Sequence, residues 1–391
     1  MMTLAAEARA AFTETLPAST FMLDLGYITS TLHESYDNDG QRTPLIDTME
    51  RYDPGGGLQG TLRADVDVTY RIMAPQLRYG VFDFLTLVLA VPVVHKTTVW
   101  PRLSWESGDY QWTMGRSFTE EDFWQWAASM GQPTPGFQEG NRYTLADIIV
   151  GARYRFSDHL SALKDNGVGL AVTLKCALPT GTAKDPEEVV SIGTTNWDLH
   201  QGDIGVHLGV DKSFPQLLDD RLVLGLNLFY EVLYEREFKT PTGERHPLLL
   251  TQAPYAGERY RIDPGDFLGF ALSADVVPFK GPALATWLSG HDLERALALP
   301  PLLTLRFEYS FTYLFQSEWS SDSALWDWNN EQRWRPGYKN ALSATALISL
   351  LRLGSPLQLY ATYRSLSLIP GRNSRATDLV TLGVRAPLKF W

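Results

Sequence analysis

The chain has 391 residues, 44% hydrophobic and 20% charged, and its 45 acidic against 34 basic side chains leave a formal net charge of −11. That balance argues against a phosphate-backbone partner, which calls for a basic face, so no nucleic-acid partner is expected. A single cysteine excludes an intramolecular disulfide and a Cys-cluster metal site, and the seven histidines contain no H-x-x-x-H pair, so neither metal nor cofactor is expected. No run of about 18 apolar residues occurs, which excludes a membrane-spanning helix. A soluble protein or a membrane β-barrel remains, because only helices and closed barrels pair their whole backbone inside lipid. The aromatic share of 12%, with 12 Trp and 17 Tyr, fits the barrel better.

Period-two alternation predicts twelve strands in chain order, near 20–34, 61–79, 85–99, 145–157, 167–179, 198–212, 221–237, 265–277, 301–316, 339–352, 356–368 and 376–391. In the seventh, Leu222, Leu224, Leu226, Leu228, Tyr230, Val232 and Tyr234 alternate with Gly225, Asn227, Glu231 and Glu235. This run is longer than the about 5–6 residues usual for a soluble strand and long enough to cross a bilayer when tilted. The ninth repeats it, with Leu303 to Phe315 on one face and Thr304, Arg306, Glu308, Ser310 and Thr312 on the other. An even strand count puts both termini on one side, expected to be periplasmic. Connections after strands two, four and six are short; those at 35–60, 100–144, 180–197, 238–264 and 317–338 are long and expected outside the cell. The alternation fails after strand eight, where 278–300 is long and partly helical in pattern.

The last strand, Val380-Leu382-Val384-Ala386-Leu388-Phe390, ends on an in-phase aromatic followed by Trp391. Such an ending is close to the terminal aromatic through which the outer-membrane assembly machinery reads barrel strands. Export requires a signal peptide, and Met1-Met2-Thr3-Leu4 offers neither a basic region nor an apolar stretch. Residues 1–19 are therefore read as a residual export or N-terminal segment, and 20–391 as an antiparallel up-and-down β-barrel of about twelve strands.

Several motifs describe barrel construction. Gln76-Leu77-Arg78-Tyr79-Gly80-Val81-Phe82-Asp83-Phe84-Leu85-Thr86-Leu87 has the form of an outer-membrane hairpin turn, with Val91-Pro92 on the rising strand. Ala146-Asp147 through Arg153-Tyr154-Arg155-Phe156, Leu178-Pro179-Thr180-Gly181 and Gly202-Asp203-Ile204-Gly205-Val206 follow. In this order, over residues 76–212, the chain resembles the outer-membrane barrels associated with the meta-pathway of phenol degradation and a related barrel family of unknown function. The resemblance implies passage of small, often hydrophobic, molecules across the outer membrane of a Gram-negative bacterium. It assigns no chemistry to any residue.

Placing the apolar phase against lipid turns Asp65, Asp67, Arg71, Asp147, Arg153, Arg155, Lys175, Asp203, Asp211, Glu231, Glu235, Asp275, Arg306, Glu308, Arg364 and Arg385 inward. Of these, Arg71, Arg153, Arg155, Lys175, Asp203, Glu231, Asp275, Arg306, Glu308 and Arg364 are the pore-lining candidates, with Arg306 and Glu308 neighbours on one face. The alternative is a lumen filled by paired side chains, since buried charges need partners. Ten of the twelve Trp lie in the long connections; Trp112, Trp124, Trp126, Trp319, Trp326, Trp328 and Trp334 are candidates for a ligand-holding vestibule, against a girdle and a small loop core. Ser117-Phe118-Thr119-Glu120 resembles a capping box opening a short helix, and 282–298 reads as a surface-lying connector. His95 and His207 lack a Ser–Asn arrangement, G-x-S-x-G and P-loop motifs are absent, Cys176 falls in the lipid-facing phase, and Asp37–Gly40 reads as a turn. No enzyme activity is expected. The expected partners are outer-membrane lipid and lipopolysaccharide, the assembly machinery at the C-terminal strand, and a small solute. The function read from the sequence is a narrow or gated pore, or alternatively a plugged barrel serving as a surface-binding scaffold.

Overall fold

A computed structural model of the chain describes residues 12–45, 48–53, 56–108, 115–129, 138–139, 143–183, 201–214, 222–239, 257–279, 300–322, 336–353 and 355–389. Twelve antiparallel strands form one wall. They are β1 (Thr20–Tyr36), β2 (Leu58–Phe82), β3 (Leu85–Ala90 resuming as Val93–Ser107), β4 (Tyr143–Leu145 resuming as Ile148–Arg155), β5 (Val168–Leu178) and β6 (Asp203–Ser213). Then come β7 (Leu222–Leu233), β8 (Phe267–Phe279), β9 (Leu303–Leu314), β10 (Gly337–Ser349), β11 (Gln358–Ser365) and β12 (Ser374–Lys389). Each pairs with the next, and β12 returns to β1 in a register running from Thr20↔Lys389 to Tyr36↔Ser374, so no sheet edge is left. Closure satisfies every strand's backbone without water, as lipid demands.

The breaks in β3 and β4 share one cause. Pro92 has no N–H to give the ladder, and its carbonyl instead accepts the Ala146 N–H at 3.0 Å, while Val91 N–H reaches the Pro75 carbonyl at 3.0 Å. Both neighbouring strands are interrupted at the same height, and pairing then resumes.

Alternation along the strands decides which side chains meet lipid. Leu23 and Leu25 on β1, Ile204 and Val206 on β6, Leu268 and Leu272 on β8, and Leu382 and Leu388 on β12 all point outward and are largely exposed. Aromatic rings border this belt. At the end carrying the termini, Phe21 stacks on Tyr79 with centroids 4.4 Å apart, and Phe84 meets Tyr154 edge-on at 5.6 Å. At the far end stand Tyr27, Tyr230, Phe315 and Tyr363.

The described connections at the terminal end are compact: Asp83–Phe84 between β2 and β3, a 3-10 turn (Phe156–His159) and helix α1 (Ser161–Asp165) between β4 and β5, and a 3-10 turn (Leu350–Leu353) between β10 and β11. At the far end the β1–β2 connection carries short strands Arg42–Pro44 and Met49–Tyr52, and the β3–β4 connection carries a helix, Glu120–Ser129. A separate three-stranded sheet of Arg236–Lys239, Arg259–Asp263 and Glu318–Ser320 sits beyond the barrel wall. The turn at Asp37 is confirmed: its Oδ1 accepts the N–H groups of Asp39 and Gln41, each at 2.8 Å.

The belt sets a depth-dependent penalty for charge. Leu226→Arg, mid-strand on the outer face, is expected to destabilise the barrel by about 2–4 kcal/mol, whereas Thr31→Arg, above the apolar belt on β1, is expected to cost about 0–1 kcal/mol. Urea unfolding of the barrel in lipid vesicles measures both. Equal losses at the two positions would overturn the assignment of the outer face.

Candidate functional site in the barrel lumen

Residues 12–19 lie inside the barrel. Read from the sequence as a segment ahead of it, they return into the lumen at the terminal end. Ser19, with φ +58°, turns the chain off β1, and its N–H is held by the Gly80 carbonyl at 2.8 Å. The Ala18 N–H then reaches Asp83 Oδ1 at 2.8 Å, the Leu16 N–H reaches Thr86 Oγ1 at 2.7 Å, and Arg153 Nη1 donates to the Glu14 carbonyl at 3.3 Å. On the opposite wall the N–H groups of Phe12 and Thr13 both donate to the Asp211 carboxylate, at 3.1 and 2.5 Å. The segment therefore crosses the barrel from β1 to β6. Phe12 is seated because the wall is cut back there. A Cβ on Gly225 would stand 2.8 Å from the Phe12 ring, and one on Gly209 would stand 3.0 Å from its carbonyl oxygen.

The wall around this segment is a ring of paired charges. Arg306 on β9 grips Asp275 on β8 through Nε and Nη2, both at 2.5 Å. Asp24 on β1 takes Arg385 Nε at 2.7 Å from β12 and the Tyr360 hydroxyl at 2.8 Å from β11, with Arg78 Nη2 of β2 at 3.7 Å. Arg153 on β4 also donates from Nε to Thr173 Oγ1 at 2.9 Å. The Glu14 side chain stands among these groups, with Arg385, Arg306, Arg78 and Arg153 all acting on its charge. It remains accessible to solvent within the lumen.

A second polar layer lies toward the far end. Lys175 on β5 bridges Asp203 at 3.3 Å and Glu231 at 3.1 Å, and Glu231 also meets His207 Nε2 at 3.2 Å. Across the lumen Arg364 donates to Ser310 Oγ at 3.0 Å beside Glu308, and Lys339 Nζ lies 5.3 Å from the Phe267 ring centroid. Lys175, Glu308, Lys339 and Arg364 keep partial solvent access. On the β1–β3 side the interior is apolar instead: Ile28, Leu32, Val68, Tyr70, Ile72 and Val94 form a buried cluster, with Leu45 of the β1–β2 connection packed on it.

Most of the residues expected inside are there. Arg153, Lys175, Asp203, Glu231, Asp275, Arg306, Glu308 and Arg364 share the inward phase, and Arg155 sits at the terminal rim, bonded to Asp158 at 2.8 Å and the Asp83 carbonyl at 3.3 Å. Arg71 is corrected. It lies on the outward phase of β2 with Met73 and Leu77, level with Thr29, and is exposed. Asp65 is likewise exposed, and Asp67 pairs with the exposed His33. Here the strand rises above the lipid belt, so the outer face meets water while the apolar cluster occupies the inner face, and the hydrophobic pattern inverts. Arg306 and Glu308 do not pair with each other, because direct cross-strand register places Asp275 opposite Arg306 and Ser273 opposite Glu308.

Among the tryptophans, Trp124 and Trp126 belong to a packed loop core. Trp105 of β3 is buried between Phe118 and Phe123, the latter ring stacked at 4.6 Å, and the Arg51 guanidinium lies 3.9 Å from the Trp126 centroid. Trp319 stacks on Tyr260 in the separate sheet at 5.9 Å. Trp112, Trp326, Trp328 and Trp334, and the 282–298 segment, lie outside the described residues. The helix Glu120–Ser129 starts two residues later than the capping box at Ser117 implies: Thr119 Oγ1 accepts the Asp122 N–H at 3.3 Å and Asp122 accepts the Thr119 N–H at 2.8 Å. The Arg116 guanidinium on Asp122 holds that carboxyl well below the usual carboxylate range. Cys176 is on the outward phase, its sulfur 3.7 Å from the Tyr234 hydroxyl.

No family model and no curated protein sequence matches the chain. Its fold is matched by solved structures. An outer-membrane channel of Pseudomonas putida F1 aligns over 98% of this chain and 100% of its own, at a TM-score of 0.57 and 12% identity. This chain has the fold of a bacterial outer-membrane β-barrel. More distant likenesses include the translocator domain of an autotransporter from Neisseria meningitidis, covering 96% of this chain and 90% of that one at a TM-score of 0.41 and 8% identity. A monoaromatic hydrocarbon channel gives the same coverages and identity at a TM-score of 0.33.

The lumenal pairs make a mutational prediction. Asp275→Asn leaves the buried Arg306 charge without its counter-ion and is expected to destabilise the barrel by about 3–5 kcal/mol, weakening the heat-resistant folded band on an unboiled gel. Asp275→Leu combined with Arg306→Met removes both charges and is expected to restore most of that loss. A double variant no better than Asp275→Asn alone would mean that the pair is not the source of the effect.

Proposed function

We propose that the protein is a gated channel in the outer membrane of a Gram-negative bacterium, passing a small solute, with residues 12–19 closing its periplasmic end. The observation carrying this reading is the way the segment is held. It crosses the lumen without joining any strand ladder, and its polar contacts are isolated hydrogen bonds, one each to Thr86 and Arg153 and two each to Asp83 and Asp211, beside the packed Phe12 ring. Each such bond contributes about 0.5–1.5 kcal/mol net, more for those to charged groups. The segment can therefore leave while the wall stays intact. The partly hydrated charges beyond it supply a polar route. Connections that are short at the terminal end, except between β8 and β9, and longer opposite support a periplasmic position for both termini.

A permanently plugged scaffold is the second reading, favoured by the buried apolar cluster on the β1–β3 side. One experiment separates the two. A Cβ at Gly169 would lie 3.2 Å from the Thr13 Cβ, within bridging reach of a disulfide. In a planar bilayer, Asp211→Ala is expected to raise the open fraction of the channel. Thr13→Cys with Gly169→Cys, in a Cys176→Ser background, is expected to stay closed when oxidised and to open on reduction. Conductance that ignores both the release and the lock would leave the scaffold reading in possession. Sidedness is read separately: a cysteine at Ser117 should react with an impermeant thiol reagent on intact cells, and protection there would invert the barrel.

A further inference from the structure

We propose that the arginine ring at the terminal end is a binding site for a small aromatic monocarboxylate, and that Phe12 and Glu14 occupy it as the chain's own stand-in for that solute. The inference rests on the gated-channel reading above and names what that gate admits.

Three observations carry it. The first is charge. Four guanidinium groups from four strands, Arg78, Arg153, Arg306 and Arg385, lie close enough to the single carboxylate of Glu14 to favour its charge, and Arg153 also holds the Glu14 carbonyl at 3.3 Å. The wall itself contributes Asp24, Asp211 and Asp275, and each is engaged: Asp24 with Arg385 and Tyr360, Asp275 with Arg306, Asp211 with the backbone of the segment. With Glu308, which acts on both Arg306 and Arg364, and Arg364 itself included, five cations stand against four wall anions and leave one positive charge, which Glu14 neutralises. When the segment withdraws, the ring lacks one negative charge, and a monoanion restores the balance that a dianion would overshoot.

The second is donors left over. Arg306 Nη1 and Arg385 Nη2 are buried and make no hydrogen bond among the described residues. Guanidinium N–H groups match a carboxylate in geometry as well as charge. The third is the seat beside the charge. The Phe12 ring lies in the recess left by Gly209 and Gly225, with the Arg306 guanidinium 5.8 Å from its centroid. One arginine thus faces both an aromatic ring and a carboxylate, and a benzoate-like molecule presents those two groups together.

The test uses the purified full-length barrel in a planar bilayer, with benzoate as the probe and benzyl alcohol as its uncharged counterpart. Benzoate is expected to raise the wild-type open-to-closed ratio about tenfold, the effect of one charge-assisted contact exchanged, while benzyl alcohol leaves it unchanged. Glu14→Gln, checked for its heat-resistant folded band, is expected to be open without benzoate, and benzoate should then block its chloride current. Arg153→Gln in that background should raise the half-blocking benzoate concentration about tenfold. If Glu14→Gln opens but benzoate and benzyl alcohol act alike, the carboxylate site is overturned and the gate survives. If folded Glu14→Gln stays as closed as wild type, and the disulfide lock also changes nothing, the gate falls and the site with it. The comparison of the two probes on wild-type protein requires no substitution. Identical responses there overturn the proposal even where Glu14→Gln fails to fold.

Discussion

The contact between Asp24 and Arg385 closes the barrel. These residues stand directly opposite each other in the register that joins the first strand to the last, and both are almost fully buried. A carboxylate so placed needs several donors, and it takes them from three neighbouring strands: Arg385 of β12, Tyr360 of β11 and, at longer range, Arg78 of β2. Four consecutive strands around the seam are therefore tied by one side chain. Backbone pairing alone would close the ladder in any register that matched hydrophobic phase. The buried charge fixes which one, because a two-residue slip preserves the lipid face but strands both ions.

The same requirement organises the interior into layers. Where register sets a base opposite an acid, as at Asp275 and Arg306, the pair is bidentate and dry. Where it does not, as with Arg364 and Lys339, the charges stay in partial contact with solvent and lean on hydroxyls or an aromatic face. The first arrangement builds wall, the second leaves charges partly hydrated inside the lumen. Their separation along the axis, with the apolar cluster filling the β1–β3 side, makes the lumen unequal around its circumference.

The strands were legible because lipid enforces a two-residue period over long runs, and the apolar outer phase identified Arg153, Lys175, Glu231 and Arg306 as inward. The same logic reaches Asp24, between Leu23 and Leu25, and Arg78, between Leu77 and Tyr79, although neither was singled out. It misled at Arg71, because beyond the belt the apolar phase of β2 faces a packed interior and the polar phase faces water. Nothing periodic marks Phe12 or Glu14: a segment held by scattered hydrogen bonds to distant strands leaves no local pattern. The trace it does leave is indirect, in inward glycines such as Gly209 and Gly225 whose small size makes sense only once something is seen to lie against them. The loop tryptophans were ambiguous for a related reason, since a girdle, a vestibule and a core use the same residue type, and the stacking of Phe123 on Trp105 decides for a core.

The turn at Ser19 joins the lumenal segment directly to the first barrel strand. A blocking group on so short a leash behaves as a ligand present at an effective concentration on the order of millimolar, whatever the composition of the medium. Any molecule competing for the same ring must overcome that local excess through its own concentration or tighter binding. On the gated-channel reading, a barrel arranged in this way responds to abundance: it stays shut to traces and yields once the solute outnumbers the tethered copy. The length of chain between Ser19 and Glu14 then sets the threshold, and lengthening it changes the point of response without altering a single wall residue.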